Sequence, residues 1–224
     1  MNKESIEHIS DCFKELPAED LAFLNGRKTQ ITYLKGETIF KQGAFASNVL
    51  FVCKGLVRVY LQIGIEKQIN IRLAKQGDYM AFSTIFNKNT YAYSATALVD
   101  SNICMIEKEA MQKVFMDNAR FSMQMTSMNS LNESRYLDII HNVSYKQTRG
   151  KLASAIIYLA SERFRNDSVF KYLSRQDIAN FASITVESTV KCLKEFEREG
   201  IISLQNKNIA IHKSNLLSEI SIRG

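Results

Sequence analysis

Five glycines, Gly36, Gly43, Gly55, Gly64 and Gly77, punctuate the stretch from Thr29 to Ile106, which reads as short strands. Between them lie Val49–Val52, Leu56–Leu61 and Gln68–Leu73. The last two alternate apolar and polar residues with period two, which predicts strands with one buried and one wet face. The five glycines fall 7 to 13 residues apart, with Lys35-Gly36-Glu37, Gln42-Gly43-Ala44 and Gln76-Gly77-Asp78 at three of the breaks. Successive hairpins at that spacing close into a barrel or a two-sheet roll. Before the roll, Pro17 predicts a short helix over Ala18–Leu24.

The period then changes. Glu107 to Met116 suits a short helix, and from Asn118 to His141 there is neither proline nor glycine. That stretch allows a helix of ~24 residues and ~36 Å, longer than a compact domain requires. Phe121, Met125, Met128, Asn132, Arg135 and Ile139 recur at alternating steps of 4 and 3, the spacing of a coiled-coil seam, and predict a dimer helix. Leu131 and Leu137 define a competing face, which leaves open a single helix lying on its own strand domain. Six methionines between Met105 and Met128 supply soft side chains where helix and roll would meet.

Hydrophobic residues make up 46% and charged ones 23%, with a single proline, so disordered and low-complexity classes are excluded. No apolar run approaches the ~18 residues of a membrane span, and the start, MNKESIEHIS, lacks the regions of a secretory signal. A cytoplasmic protein without membrane partners is expected. Cys12, Cys53, Cys104 and Cys192 show no CxxC spacing, and His8, His141 and His212 are scattered. They predict buried thiols, no metal site and no cofactor. GxSxG, HExxH, Walker A and GxGxxG stretches do not occur, so no catalytic residue is nominated and no enzyme is expected.

Charge is unevenly spread. Residues 1–140 hold 16 basic and 15 acidic residues, whereas 141–224 hold 13 and 8, so five of the six excess positive charges lie in the last 84 residues. A polyanion-binding segment needs such a concentration, because each Lys or Arg on a phosphate releases a counterion. In that segment Ser174-Arg175-Gln176-Asp177 reads as an S-x-x-D capping box opening a helix with Ile178 and Phe181 on one side. Ala182 to Thr185 forms a short connection, Thr185 caps a second helix from Val186 to Glu199, and Gly200 stops it. Val190, Leu193 and Phe196 point inward, leaving Val186, Glu187, Ser188, Lys191 and Lys194 outside. Two helices joined this way form a helix-turn-helix. Ile201–Leu204, the turn Gln205–Asn208 and Ile209–His212 add a small hairpin, or wing.

In this order the features resemble the Crp/Fnr family of transcription regulators over nearly the whole chain. The residues carrying the resemblance are Lys35–Gly43, Val52–Val59, Gly77-Asp78, the long helix, and Leu173–Ala179. The resemblance implies an α+β architecture: an N-terminal β-roll of the cyclic-nucleotide-binding kind, a long dimerisation helix and a C-terminal winged helix-turn-helix. Expected boundaries are 1–117 for the sensor domain, 118–141 for the helix and 142–224 for the DNA-binding domain. Implied partners are double-stranded DNA, a second copy of the chain, RNA polymerase and a small-molecule effector. Ser174, Arg175, Gln176, Thr185, Val186, Glu187, Ser188, Lys191 and Lys207 become candidate DNA contacts, with Arg175 and Gln176 on phosphates. Glu187 matches the family's glutamate, which accepts from cytosine N4. Val186 stands where well-known members read guanine with an arginine, and Lys191 replaces another frequent arginine.

The effector site departs further. Nucleotide-binding members pair a Gly-Glu with a later Arg-Ser or Arg-Thr, whose arginine neutralises the cyclic phosphate. Here Gly77-Asp78 remains, but the later pair reads Tyr93-Ser94, and Lys88 is the candidate substitute cation. Tyr79, Met128 and Tyr136 complete the candidate pocket. The reading is a DNA-binding regulator that no longer recognises cyclic AMP. Its alternatives are a cyclic-nucleotide-responsive regulator with an atypical pocket, and a ligand-sensing module that binds protein.

Overall fold

In the computed structural model, which describes residues 5–65, 67–86 and 89–224, the glycine-punctuated stretch forms strands at the expected runs. A first helix, α1 (Ala18–Asn25), precedes β1 (Lys28–Tyr33), β2 (Thr38–Phe40), β3 (Asn48–Lys54), β4 (Leu56–Gln62), β5 (Gln68–Lys75), β6 (Tyr79–Met80), β7 (Ser94–Ala97) and β8 (Ser101–Glu107). They make two four-stranded sheets, ordered β1-β8-β3-β6 and β2-β7-β4-β5. Strands adjacent in space are distant in sequence: Lys28 faces Ile106 across β1 and β8, and Thr38 faces Thr96 across β2 and β7. The chain therefore winds between the sheets as a roll. Helices α2 (Lys108–Asp117) and α3 (Ala119–Tyr145) follow.

Contacts divide the chain into two units. The first comprises the residues up to Lys67 together with Arg72–Ser134; the second comprises Gln68–Ile71 and Arg135–Gly224. The core of the first gathers Val49, Phe51 and Cys53 of β3, Cys104 and Ile106 of β8, Met111 and Val114 of α2, and Phe121 and Met125 of α3. Phe13 joins the layers, with ring centroids 4.8 Å from Phe51 and 5.7 Å from Phe121. Each such aromatic contributes about 1.5–3 kcal/mol by leaving water.

Two expectations are corrected here. Strand β5 does not keep a wet face: Asn70 and Arg72, its polar alternates, are 0% and 4% exposed. Burial of a polar side chain is tolerated when it is hydrogen-bonded, and Arg72 Nη2 donates to the Tyr79 carbonyl at 2.6 Å. Asn70 Nδ2 donates to the Asp177 carbonyl at 3.0 Å within the second unit. The second correction concerns the seam. Phe121 and Met125 are 2% and 0% exposed in the protein's own core, Met128 lies against the same core, and Asn132 and Ile139 are half-buried. Arg135 is also engaged within the chain, donating through Nε to the Ile71 carbonyl at 3.2 Å with its guanidinium 3.8 Å above the Tyr158 ring. Burial pushes its pKa below the ordinary arginine value. One exposed stripe lies two residues on, at Met123, Ser127, Ser130, Ser134, Leu137 and His141, again in steps of 4 and 3, and Leu131 and Ile140 are exposed beside it. The methionines divide likewise, Met111 and Met125 in the core, Met116 and Met123 exposed at 77% and 71%.

In the second unit, α4 (Thr148–Leu159), α5 (Arg175–Ala182), α6 (Val186–Arg198), the hairpin of β9 (Ile202–Gln205) and β10 (Asn208–Ile211), and α7 (Ser214–Arg223) surround Leu152, Ile156, Phe181, Leu193, Phe196 and Leu217. The four cysteines are buried, and burial drives the Cys12 thiol up to about 12.

Gly55 joins β3 to β4 at φ +111°, where a Cβ would lie 2.2 Å from Ser101 Oγ. Gly36, at φ +88°, has nothing within 4 Å of the same position. Gly55→Ala should therefore cost overpacking plus left-handed strain, about 2–4 kcal/mol, and Gly36→Ala the strain alone, about 1–2 kcal/mol. Urea unfolding of the two variants checks the difference.

Candidate nucleic-acid interface

A helix begins with backbone amides that have no partner inside it, so its first residue decides how firmly it starts. At α5 that residue is Ser174. Its Oγ accepts from the Asp177 amide at 3.0 Å, while Asp177 Oδ2 accepts from the Ser174 amide at 2.8 Å and from its hydroxyl at 2.6 Å. Asp177 is 7% exposed, so the reciprocal box is sealed. The helix ends at Ser183, which takes the left-handed conformation (φ 55°, ψ 43°), and the Ile184 amide closes back on the Ala179 carbonyl at 3.1 Å. Two residues later Thr185 caps α6, its Oγ1 accepting from the Ser188 amide at 3.2 Å. Three residues thus separate two capped helices.

Helix α6 buries Thr189, Cys192, Leu193 and Phe196. Val190, expected inward, is half-buried; Thr189 takes that place because its hydroxyl donates to the Thr185 carbonyl at 2.9 Å, which removes the cost of burying it. Glu187, Lys191 and Lys194 are exposed and Val186 and Ser188 half-buried, along one outward face beginning at the N-terminal turn. The Glu187 carboxylate is held below its ordinary pKa first by its own backbone N–H and then by the Thr185 hydroxyl. It is therefore ionised at the positive end of the helix dipole. On α5, Ser174 and Gln176 are exposed and Arg175 half-exposed, with Gln176 Nε2 donating to Asn180 Oδ1 at 2.9 Å.

The wing follows directly. In the β9–β10 hairpin Gln205 faces Asn208, leaving Asn206 and Lys207 as the loop. Asn206 takes φ 56°, which asparagine tolerates, and Lys207 stands exposed at the tip. The Leu204 amide donates to Glu197 Oε1 at 2.9 Å, tying wing to helix. All nine candidate DNA contacts thus lie in the second unit, on the two caps, in the first turn of α5, on the outer face of α6 and at the wing tip. One feature escaped sequence reasoning: Arg149 of α4 meets Glu195 and Glu199, at 3.1 and 2.8 Å. The i,i+4 glutamates are visible in sequence, but nothing local names their cation.

In the roll, the candidate effector residues are already engaged. Gly77 and Asp78 form a turn in which the Gly77 amide donates to the Val52 carbonyl at 3.0 Å and Asp78 Oδ2 accepts from the Lys75 amide at 2.8 Å. Tyr79 is buried and its hydroxyl donates to the Met125 carbonyl at 3.1 Å. The Tyr93 hydroxyl accepts from the amide of Ala81, a residue at φ 62°, at 2.8 Å, and its ring sits 5.9 Å from Phe40. Ser94 Oγ accepts from the Gln42 amide at 2.9 Å. Tyr93 therefore answers to Ala81, whereas the Gly77-Asp78 pair is engaged in its own turn. Met128 borders the core of this unit, Tyr136 belongs to the second unit, and Lys88 lies outside the described residues. Among the described residues no three His, Cys, Asp or Glu side chains gather as a metal site, and no helix is long and apolar enough to cross a membrane.

Comparison with known proteins agrees with both halves. Residues 30–118 match the cyclic nucleotide-binding domain and residues 150–220 the Crp-like helix-turn-helix domain. The chain is 29% identical over 194 residues to the fumarate nitrate reduction regulatory protein of Klebsiella oxytoca, covering 84% of this chain and 76% of that one. It is 23% identical over 185 residues to the anaerobic regulatory protein of Bacillus subtilis, covering 80% and 78%. Among solved structures, a CooA variant from Carboxydothermus hydrogenoformans shares the fold with TM-score 0.74 at 18% identity, covering 99% of this chain and 97% of that one. FixK2 from Bradyrhizobium japonicum shares it at TM-score 0.71 and 17% identity, covering 86% and 96%.

Proposed function

We propose that this chain, a member of the Crp/Fnr family of DNA-binding transcriptional regulators and not an enzyme, acts as a cytoplasmic homodimer on a two-fold-symmetric DNA site under an effector other than cyclic AMP. One observation carries the reading: α6, capped by Thr185, turns Glu187, Ser188, Lys191 and Lys194 outward beside a wing tipped by Lys207. The N-terminal part of such a helix enters a major groove while the first helix and the wing meet the backbone. Arg175, Gln176 and Lys207 then position the protein on phosphates, and Val186, Glu187, Ser188 and Lys191 approach base edges. Val186 offers an apolar contact that suits a thymine methyl. RNA polymerase is the partner such a bound dimer would address.

The free-state contacts of Glu187 with its own amide and Thr185 support a second reading, in which it only caps α6. The readings part in binding assays on a mapped site and its single-base variants. As a base reader, Glu187→Ala should relax preference at one symmetric position per half-site by ~1–3 kcal/mol, with half-sites about one helical turn apart. Equal loss on every variant would leave Glu187 a cap. Arg175→Ala should weaken all sequences alike and lower the magnitude of the salt slope by about 1.

The exposed stripe Met123, Ser127, Ser130, Ser134, Leu137 and His141 is the seam we assign to the dimer, its serines allowing close approach and its two large apolar residues supplying burial. Met123→Glu with Leu137→Glu should split the dimer by bringing like charges together across the seam. Light scattering at micromolar concentration reads the result, and a monomeric wild type would refute the assignment.

Cyclic AMP and cyclic GMP should not stabilise the protein, because Tyr93 supplies a hydroxyl where a cyclic phosphate needs a cation. A bound ligand at 100 times its Kd adds ~2.7 kcal/mol. A rise in Tm with either nucleotide at millimolar concentration would overturn this reading.

A further inference from the structure

Arg149, in the first turn of α4, reaches across to the C-terminal half of α6. Its Nη1 donates to Glu195 Oε2 at 3.1 Å and to Glu199 Oε1 at 2.9 Å, and its Nη2 to Glu199 Oε2 at 2.8 Å. The fork is thus bidentate on one carboxylate and shared with a second one helical turn away. Its guanidinium carbon lies 5.0 Å from the centre of the Phe196 ring, which is fully buried. Exposed ion pairs contribute little to stability in general, but a planar bidentate pair inside a network defines an orientation. The same end of α6 is held twice more, by Lys213 Nζ on the Glu199 carbonyl at 2.8 Å and by the Leu204 amide on Glu197 Oε1 at 2.9 Å.

We propose that Arg149 is a positioning residue for DNA binding: it sets the angle of α6 by clamping its C-terminal turn, and so places side chains at the other end that it never touches. This rests on the reading of α6 as the element that enters the groove. The lever is long. Helix α6 has 13 residues, so it spans ~20 Å, and a tilt of about 10° at the clamped end moves the first turn by ~3 Å. Hydrogen bonds to base edges tolerate only a few tenths of an ångström. With both carboxylates on its fork, Arg149 has little charge left to offer a phosphate. A lysine could keep the charge but could not reproduce the fork or the stacking on Phe196.

The test is fluorescence anisotropy with the full-length chain on a mapped specific site and on unrelated DNA, with salt titrations and melting curves for each variant. Arg149→Ala and Arg149→Lys should both weaken specific binding by about tenfold, within the range over which contacting charged groups couple. The salt slope and Tm should stay near wild type. Glu199→Gln should also weaken specific binding, and adding it to Arg149→Ala should cost nothing further. Three results would each overturn the proposal: wild-type affinity in Arg149→Lys, a salt slope reduced by about 1 in Arg149→Ala, which marks a phosphate contact, or additive losses in the double variant. Should Arg149→Ala melt early, the milder Glu199→Gln carries the comparison, and unchanged affinity in that variant refutes the clamp. A wild-type chain that binds no DNA refutes the groove reading itself, and the clamp falls with it; wild-type binding with unaffected variants refutes the clamp alone.

Discussion

The burial of Phe121 and Met125 fixes which way α3 faces. Those two side chains enter the cluster built on Phe13, Phe51 and Met111, and neither leaves it without opening a cavity that costs about 3–5 kcal/mol for the phenylalanine and about 2–5 kcal/mol for the methionine. Fixing two residues in the first turns of the helix sets the facing of the turns around them. Met123, Ser127, Ser130 and Ser134, in the same unit, are turned outward as a consequence of what Phe121 and Met125 do inward. Further along the same helix, Arg135 is committed to the Ile71 carbonyl and the Tyr158 ring. Phe121 and Met125, buried in this core, offer no surface to a second copy of the chain.

In the second unit the decisive contacts are short and polar. The box of Ser174 and Asp177 starts α5, Ser183 ends it, and Thr185 starts α6, so the angle between the helices is set within a dozen residues of chain. Apolar burial then holds that angle through Phe181, Leu193 and Phe196. Two carboxylates remain near the ends of α6 in different roles. Glu187 lies at the positive end of the helix dipole and is held ionised there, whereas Glu199 lies at the negative end, where a carboxylate is unfavourable unless a cation answers it. Arg149 is that cation, and its bond to Glu199 pushes the pKa of each away from the other. Since Glu199 titrates below its ordinary value, the pair is complete above the usual glutamate range near 4.3 and is lost only as pH falls through the lower folded value. It is a fixed element at neutral pH.

The local features were legible in the sequence and the long-range ones were not. Ser174 and Asp177 lie three residues apart and Thr185 stands just before an apolar helix face, so both caps could be read without knowing the fold. The seam could not be placed, because stripes beginning at Phe121 and at Met123 carry the same 4-3 spacing, and only the roll decides which one it covers. Alternation misled in β5 for a related reason: a polar residue between apolar ones is wet only if nothing covers that side, and Asn70 and Arg72 are both covered. Thr189 outcompeted Val190 for the interior because its hydroxyl finds the Thr185 carbonyl, a bond invisible to a hydrophobicity pattern. Arg149 and Glu199 are 50 residues apart, and no local rule pairs them.

Under the proposed reading, contacts already made inside the roll limit what it can sense. A backbone amide in a left-handed turn, such as that of Ala81, is a donor that a bound anion would exploit. Here the donor is already satisfied by the Tyr93 hydroxyl, a neutral acceptor carried by the protein itself. An anionic ligand would have to displace that phenol, lose its own hydration and find a cation at a position where the chain supplies an aromatic ring. Each step costs, and only the first is recovered by a new hydrogen bond. Phe40 and Tyr91, buried and stacked 4.2 Å apart beside Tyr93, add further rings and no charge at that position. Under the proposed reading, these costs are why cyclic AMP is not the signal.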